Sequence, residues 1–271
     1  MRYRLIVIIL LLVGCSDPST KPHIPAPEEN LIIELPQEKA IPIDTEYVDE
    51  YTQSGWTITF RDEFDQSELS TIRWNKVNDG YKDYGRLHYY LPEQVSIASE
   101  NLILNVDNNA YGDFPFRSGA VTTKGKHEQL YGKFDIRAKL PSGQGLFPAI
   151  WLLPSDNKAY PEIDIVEMLG QLTDEIWHVA HKEAGNREFK LTEGIDGSEW
   201  HVYTLDWLEE ELIFYIDGKE QFRTPNISNT SMYLWMNVAV GGVWVGDPDE
   251  QTIFPASMEV DYVRIYSKNK S

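Results

Sequence analysis

From Gly55 onward apolar and polar residues tend to alternate with a period of two, as in Asn101-Leu102-Ile103-Leu104-Asn105-Val106 and Lys133-Phe134-Asp135-Ile136-Arg137-Ala138-Lys139-Leu140. Successive side chains of a strand point to opposite faces, so this period predicts half-buried β-strands. Residues 212–216, the pair Asp217-Gly218 and residues 219–223 read as a hairpin, because Asp-Gly tolerates the positive φ angles of a tight turn. No long amphipathic helix is visible. Many short strands punctuated by Gly and Pro predict an all-β fold of two antiparallel sheets stacked as a sandwich. The pattern before Gly55 is different. Arg2 and Arg4 precede an apolar run at 5–13, which is too short to span a bilayer. Residues 16–54 then hold six prolines among acids and few aromatics, a composition that buries no core and predicts an extended tether.

One strand breaks the alternation in an informative way. Pro161-Glu162-Ile163-Asp164-Ile165-Val166-Glu167-Met168 sets three carboxylates in a β-branched, apolar run. In a regular strand Glu162 and Asp164 share a face, and Glu167 falls on the other. One inserted residue, a β-bulge at Ile165-Val166, shifts the register by one and returns Glu167 to the acidic face. Two glutamates flanking an aspartate suit double-displacement glycoside hydrolysis, with one carboxylate as nucleophile and another as proton donor about 5–5.5 Å away. Carboxylates this close do not all ionise freely, so at least one pKa rises and keeps a proton for the leaving group. The competing reading is a half-buried strand whose solvated face is acidic. Three clustered acids are costly without partners, and the strand follows Phe147-Pro148-Ala149-Ile150-Trp151-Leu152, an aromatic strand bearing a proline.

With these residues in view, the chain resembles glycoside hydrolase family 16, and within it the bacterial laminarinase-like endo-β-1,3-glucanases. The resemblance covers nearly all of residues 55–268. Matching segments run in family order: Phe60-Arg61-Asp62-Glu63-Phe64, Ser118-Gly119 with Thr123-Lys124-Gly125, Tyr131-Gly132-Lys133-Phe134, and Trp200-His201-Val202-Tyr203 with Asp206-Trp207. They close with Asn237-Val238-Ala239-Val240-Gly241-Gly242, Trp244, Phe254-Pro255 and Val260-Asp261-Tyr262-Val263-Arg264-Ile265-Tyr266. The resemblance implies a concanavalin-like jelly roll of two curved antiparallel sheets with a concave substrate cleft. It implies Glu162 as nucleophile, Glu167 as acid/base and Asp164 as the assisting acid.

It also implies cleft positions for Phe147, Trp151, His181, Asn237 and Trp244. Trp151 reads equally as sandwich core, His181 as a satisfied core histidine, and Asn237 as a partner for backbone groups. Phe147 stands where the laminarinase pattern usually has tryptophan. Gly85-Arg86-Leu87-His88-Tyr89-Tyr90 departs from the usual Asn-Glu-Leu-Gln-Tyr-Tyr, and Val243 replaces a common asparagine. These departures leave linkage and sugar specificity open. Arg86 in a glycan cleft favours an anionic polysaccharide, whereas an exposed surface arginine carries no such meaning. Relatives often hold a structural calcium through carboxylate and backbone oxygens, for which Glu63 and Asp261 fall at compatible positions. No cofactor is expected for catalysis.

The formal charge is −19. Nine acids and two lysines in residues 16–54 carry −7 of it, and residues from 55 onward carry −14. Nucleic acid is therefore excluded as a partner, since its binding rests on phosphate neutralisation, whereas an uncharged polysaccharide is compatible. Leu12-Val13-Gly14-Cys15 resembles a bacterial lipoprotein cleavage box, with Cys15, the only cysteine, as the lipidated residue; an ordinary secretory signal is the alternative. The expected organisation is a signal at 1–15, a tether at 16–54 and a catalytic domain at 55–268. The protein is then an exported, lipid-anchored retaining endo-glycosidase cleaving β-1,3 or β-1,3-1,4 glucan. Alternatives are a family 16 hydrolase or transglycosylase acting on a galactan such as agar or carrageenan, or a non-catalytic β-glucan-binding protein.

Overall fold

The computed structural model describes residues 47–80 and 82–269. In chain order its elements begin with the helix α1 (Glu50–Gln53) and the strands β1 (Trp56–Asp62), β2 (Asn75–Lys76), β3 (His88–Tyr90), β4 (Val95–Ala98), β5 (Asn101–Asp107), β6 (Phe116–Ser118), β7 (Ala120–Thr122), β8 (Gly132–Lys139) and β9 (Leu146–Pro154). They continue as β10 (Glu162–Met168), β11 (Glu175–Glu183), β12 (Asn186–Glu193), β13 (His201–Trp207), β14 (Glu211–Ile216), β15 (Lys219–Pro225), β16 (Met232–Val240) and β17 (Ala256–Lys268). One sheet has the order β12-β11-β10-β9-β16-β7-β2 and forms the floor of a cleft. The other has the order β15-β14-β13-β8-β17-β5-β6-β3, with β1 added to β17 and β4 to β5. Pairing is antiparallel except between β3 and β6. This is the all-β jelly-roll sandwich that the alternation and the resemblance imply.

The core lies between the sheets and is built from the alternate positions read in the sequence. In β5, Leu102, Leu104 and Val106 are fully buried while their neighbours face outward. Facing them across the sandwich are side chains such as Ile150, Leu152, Ile163 and Met236. Each large apolar side chain so buried contributes roughly 1.5–3 kcal/mol relative to exposure, which makes this seam the main source of stability. Asp217 and Gly218 hold φ of +50° and +73° between β14 and β15, as the hairpin requires.

The domain begins earlier than its composition suggests. Residues 47–54, read as part of the tether, are folded onto the second sheet. The α1 helix is closed by a capping box, Thr52 N–H donating to Asp49 Oδ1 and Thr52 Oγ1 accepting from Asp49 N–H. Tyr51 stands edge-on to Tyr266 at 5.3 Å and donates to Asp135 Oδ1 at 3.3 Å, while the Tyr266 hydroxyl donates to Asp49. Arg61 covers the Tyr47 ring at 4.4 Å. Two tyrosines and a cap supply enough contact to order a segment that is otherwise rich in acids. The expectations for residues 1–46, including Cys15 and most of the tether, lie outside the described residues. Among the described residues no helix is long and apolar enough to cross a membrane.

Candidate active site

The acidic strand β10 carries the inferred bulge. Against β11 its register runs Asp164 to Val179 and then Glu167 to Trp177, so Ile165 and Val166 together oppose the single residue His178. Against β9 the pairs are Asp164 with Trp151 and Val166 with Ile150, which leaves Ile165 as the extra residue. Ile163, Ile165, Val166 and Met168 are all buried in the sandwich core. Glu162, Asp164 and Glu167 consequently line one cleft of about 340 Å³.

A bulge leaves a backbone group without a ladder partner. Here His178 supplies one: its Nδ1 lies 2.7 Å from the Ile165 carbonyl. A carbonyl only accepts, so Nδ1 carries the proton and Nε2 does not. Burial lowers the His178 pKa to about 4, consistent with a neutral ring. Alternation along β11 places His178 on the face opposite Trp177 and His181. What it does there depends on facing the bulge across a strand pair, which periodicity alone does not report.

His181 lies on the cleft face, directly across from Glu162. Its Nε2 stands 3.7 Å from Glu162 Oε1 and 3.2 Å from Asp164 Oδ2, close enough to feel both charges without a well-directed hydrogen bond to Asp164. Burial raises the Glu162 pKa, opposed by the charges of His181 and Arg86. Burial and the Glu162 charge raise Asp164 well above the usual carboxylate range, and Asp164 is 2% exposed. Glu167 is also raised well above that range, first by burial and then by Asp164 and Glu162. The asymmetry matters chemically. Burial lowers the His181 pKa, so Arg86 is the lasting cation near Glu162; Glu162 is the acid most readily kept ionised, whereas Glu167 has two acids beside it and keeps a proton.

The aromatic positions resolve differently from one another. Phe147 and Trp151 both line the cleft, so Trp151 belongs to the cleft and not to the sandwich core. Its Nε1 donates to Asn237 Oδ1 at 2.8 Å, which gives Asn237 a side-chain partner and locks the indole. Trp244 stands edge-on to Phe147 and to Trp177, each at 5.4 Å, and lines an adjoining groove. Arg86 lines both spaces, so it is a cleft residue and not a plain surface arginine. Gly85, Arg86 and Val243, the departures from the laminarinase pattern, are brought together here: the Val243 N–H donates to the Tyr84 carbonyl at 2.9 Å.

Several residues in or beside the cleft escaped the sequence reading. Tyr233 and Trp235 share the cleft face of β16 with Asn237, so period two counted back from Asn237 finds them. Arg187 sits across from His181 on β12, and its charge lowers the pKa of Asp164 and Glu167. No local pattern marks it, because β12 is exposed and polar along most of its length.

The proposed calcium ligands do not fit a cation. Glu63 is engaged by Arg264 through both oxygens, at 2.9 and 2.8 Å, and Asp261 Oδ2 is 2.5 Å from Arg137. Guanidinium groups thus take both oxygens of Glu63 and one of Asp261, and compete there with a hard cation. The one group of three metal-type ligands among the described residues is Glu162, Asp164 and His181, with donor atoms within 4.8 Å of one another. Its acids are two of the three that share the cleft face of β10.

The sequence model of Glycosyl hydrolases family 16 matches residues 88–264. A beta-glucanase of Rhodothermus marinus is 33% identical, over 78% of this chain and 85% of its own. Glucan endo-1,3-beta-glucosidase A1 of Niallia circulans is 30% identical over 91% of this chain, which spans 42% of that protein. Among solved structures, the catalytic domain of an endo-1,3-beta-glucanase (laminarinase) from Thermotoga petrophila RKU-1 superposes with a TM-score of 0.75 at 31% identity, covering 79% of this chain and 99% of that one.

Proposed function

The chain belongs to glycosyl hydrolases family 16, and we propose that it is an endo-β-glucanase that cleaves β-1,3 linkages with retention of configuration. Of the three proteins compared above, two are endo-1,3-β-glucan hydrolases by name and the third is a beta-glucanase. The observation that carries the mechanism is the bulge in β10, which sets Glu162 and Glu167 on one face with Asp164 between them.

In the first step Glu162 attacks the anomeric carbon while Glu167 gives its proton to the departing glycosidic oxygen. The bond from Glu162 to the sugar forms as the glycosidic bond breaks. Glu167, now ionised, takes a proton from water in the second step, and the resulting attack releases Glu162 and a β-anomeric product. Asp164, buried and protonated beside Glu162, orients the nucleophile and spares it a second adjacent negative charge. Trp151, locked by Asn237, and Phe147 offer ring faces to the sugars on either side of the reacting bond. Export and lipid attachment through Cys15 belong to the same reading, since a polymer substrate is met outside the cell.

The test is product analysis with azide as an alternative nucleophile. On laminarin the wild type is expected to release short oligosaccharides that are first seen as β-anomers. An activated β-glucoside with Glu162→Ala and azide should yield the α-glycosyl azide, and Glu167→Ala the β-glycosyl azide. Inverted products from the wild type, or the opposite azide outcomes, would overturn the assignment. Retained β-glucan binding with no cleavage by the folded wild type would make the protein a binder.

A further inference from the structure

The cleft does not end at Phe147. A second groove of about 200 Å³ opens beside it, and Arg86, Phe147 and Ala239 line both. Tyr84, Val243 and Trp244 form its outer walls. The two chain segments that build it are tied together, Val243 N–H to the Tyr84 carbonyl at 2.9 Å and Leu87 N–H to the Val240 carbonyl at 2.8 Å. Gly241 holds φ of +70°, and a Cβ there would stand 2.6 Å from Leu87 Cγ, so glycine is what allows the segments to close on each other. The groove is therefore formed before any ligand arrives.

Its chemistry is unlike that of the cleft. The cleft holds three carboxylates, whereas the groove lining has none, and its one charged side chain is Arg86. Arg86 is half-buried and takes part in no ion pair among the described residues; its backbone N–H alone is committed, to the Asp83 carbonyl at 3.3 Å. Its charge also reaches Glu162 in the cleft, but no salt bridge holds it there; a guanidinium partly withdrawn from water, beside aromatic walls and with no carboxylate in the groove itself, is arranged for an anion that arrives with the substrate.

We infer that this groove is a subsite for an anionic substituent, a carboxylate or a sulfate ester, carried by a sugar of the β-glucan main chain. The planar fork of Arg86 matches two oxygens of either group. Tyr84, Phe147 and Trp244 offer apolar ring faces to the sugar that bears it. The space takes one such substituent beside the main chain. The charge of −14 on residues from 55 onward repels a densely anionic polymer, so the selectivity is for sparse substituents next to the cleavage point.

This inference rests on the glucanase reading, and its test separates the two. Initial rates are measured on plain laminarin and on laminarin lightly substituted at C6 in three ways: oxidised to carboxylate, sulfated, and hydroxyethylated as a neutral control. The wild type is expected to prefer at least one anionic derivative over the neutral one by about tenfold in kcat/KM, mostly through KM, with the preference shrinking as salt is added. The ratio should collapse toward one in Arg86→Gln and be partly kept in Arg86→Lys, whatever happens to the absolute rates. The carboxylate and sulfate arms identify which anion is taken. Equal rates of the wild type on neutral and anionic derivatives, or an undiminished ratio in Arg86→Gln, would overturn the inference while leaving the glucanase reading intact. No cleavage of any of the four polymers would overturn that reading instead. The wild-type comparison decides the matter even if an Arg86 variant does not fold.

Discussion

Replacing His178 separates stability from catalysis. The side chain is fully buried, and its Nδ1–H holds the Ile165 carbonyl at 2.7 Å, while Nε2 has no hydrogen-bond partner among the described residues. In His178→Leu the lost hydrogen bond strands a buried carbonyl, at a cost of about 1–3 kcal/mol. Removing the unpartnered Nε2 relieves a penalty of about the same size, and leucine fills similar space beside the Phe214 ring. The two effects largely cancel, so the unfolding midpoint should move little. Catalysis has no such compensation. The Ile165 carbonyl belongs to the bulge that turns Glu167 into the cleft, and misplacing a proton donor by about 1 Å costs on the order of 100-fold in rate. His178→Asn should do the reverse: its amide N–H replaces the Nδ1 donor and restores much of kcat, but the smaller side chain leaves a cavity that lowers stability by about 1–3 kcal/mol. The assays are urea unfolding together with kcat and KM on laminarin. A Leu variant with wild-type kcat would refute the role given to His178. So would an Asn variant no more active than Leu.

The raised carboxyl pKa values give a sign for pH dependence. Burial lifts Glu162, Asp164 and Glu167 above their unfolded values, so at these sites the folded state binds more protons; their contribution to stability is most favourable below the unfolded range near pH 4 and is lost as pH rises through the folded values. Glu167→Gln should then be more stable than wild type at pH 7, on the order of 1–3 kcal/mol, with the advantage vanishing near pH 4 in thermal scans. The pH–rate profile should be bell-shaped, its acid limb set by Glu162 and its alkaline limb by Glu167, and Glu162→Gln should be inactive throughout. Trp151→Phe removes the donor to Asn237 and should lower kcat/KM about tenfold by loosening the indole site, as read from initial rates. A chain beginning at Gly55 lacks Tyr47, Asp49 and Tyr51 and should unfold at lower urea than one beginning at Tyr47; identical midpoints would return residues 47–54 to the tether.

The strands, the hairpin at Asp217-Gly218 and the bulge at Ile165-Val166 were legible because they are local. Side-chain direction alternates with every residue, so three acids among apolar neighbours already dictate that one residue must be inserted for Glu167 to join Glu162 and Asp164. The start of the domain was misread by composition, because acids and prolines mask a capped turn whose tyrosines find partners more than 80 residues away. Glu63 and Asp261 looked like cation ligands in isolation. Only the folded sheet showed Arg264 and Arg137 beside them.

By itself, then, the amino-acid sequence determined the all-β class, the identity of the acidic strand and which of its residues share a face, because these follow from backbone period and steric preference over a few residues. The tertiary structure alone decided which groups surround that strand. The order β12-β11-β10-β9-β16-β7 brings Arg187, His181 and Trp151 alongside the acids, and the loop after β16 brings Val243 and Trp244 to Tyr84 and Arg86. Those neighbours come from strand pairings and loop closures between distant segments, set by the burial of the whole core and not by any local period.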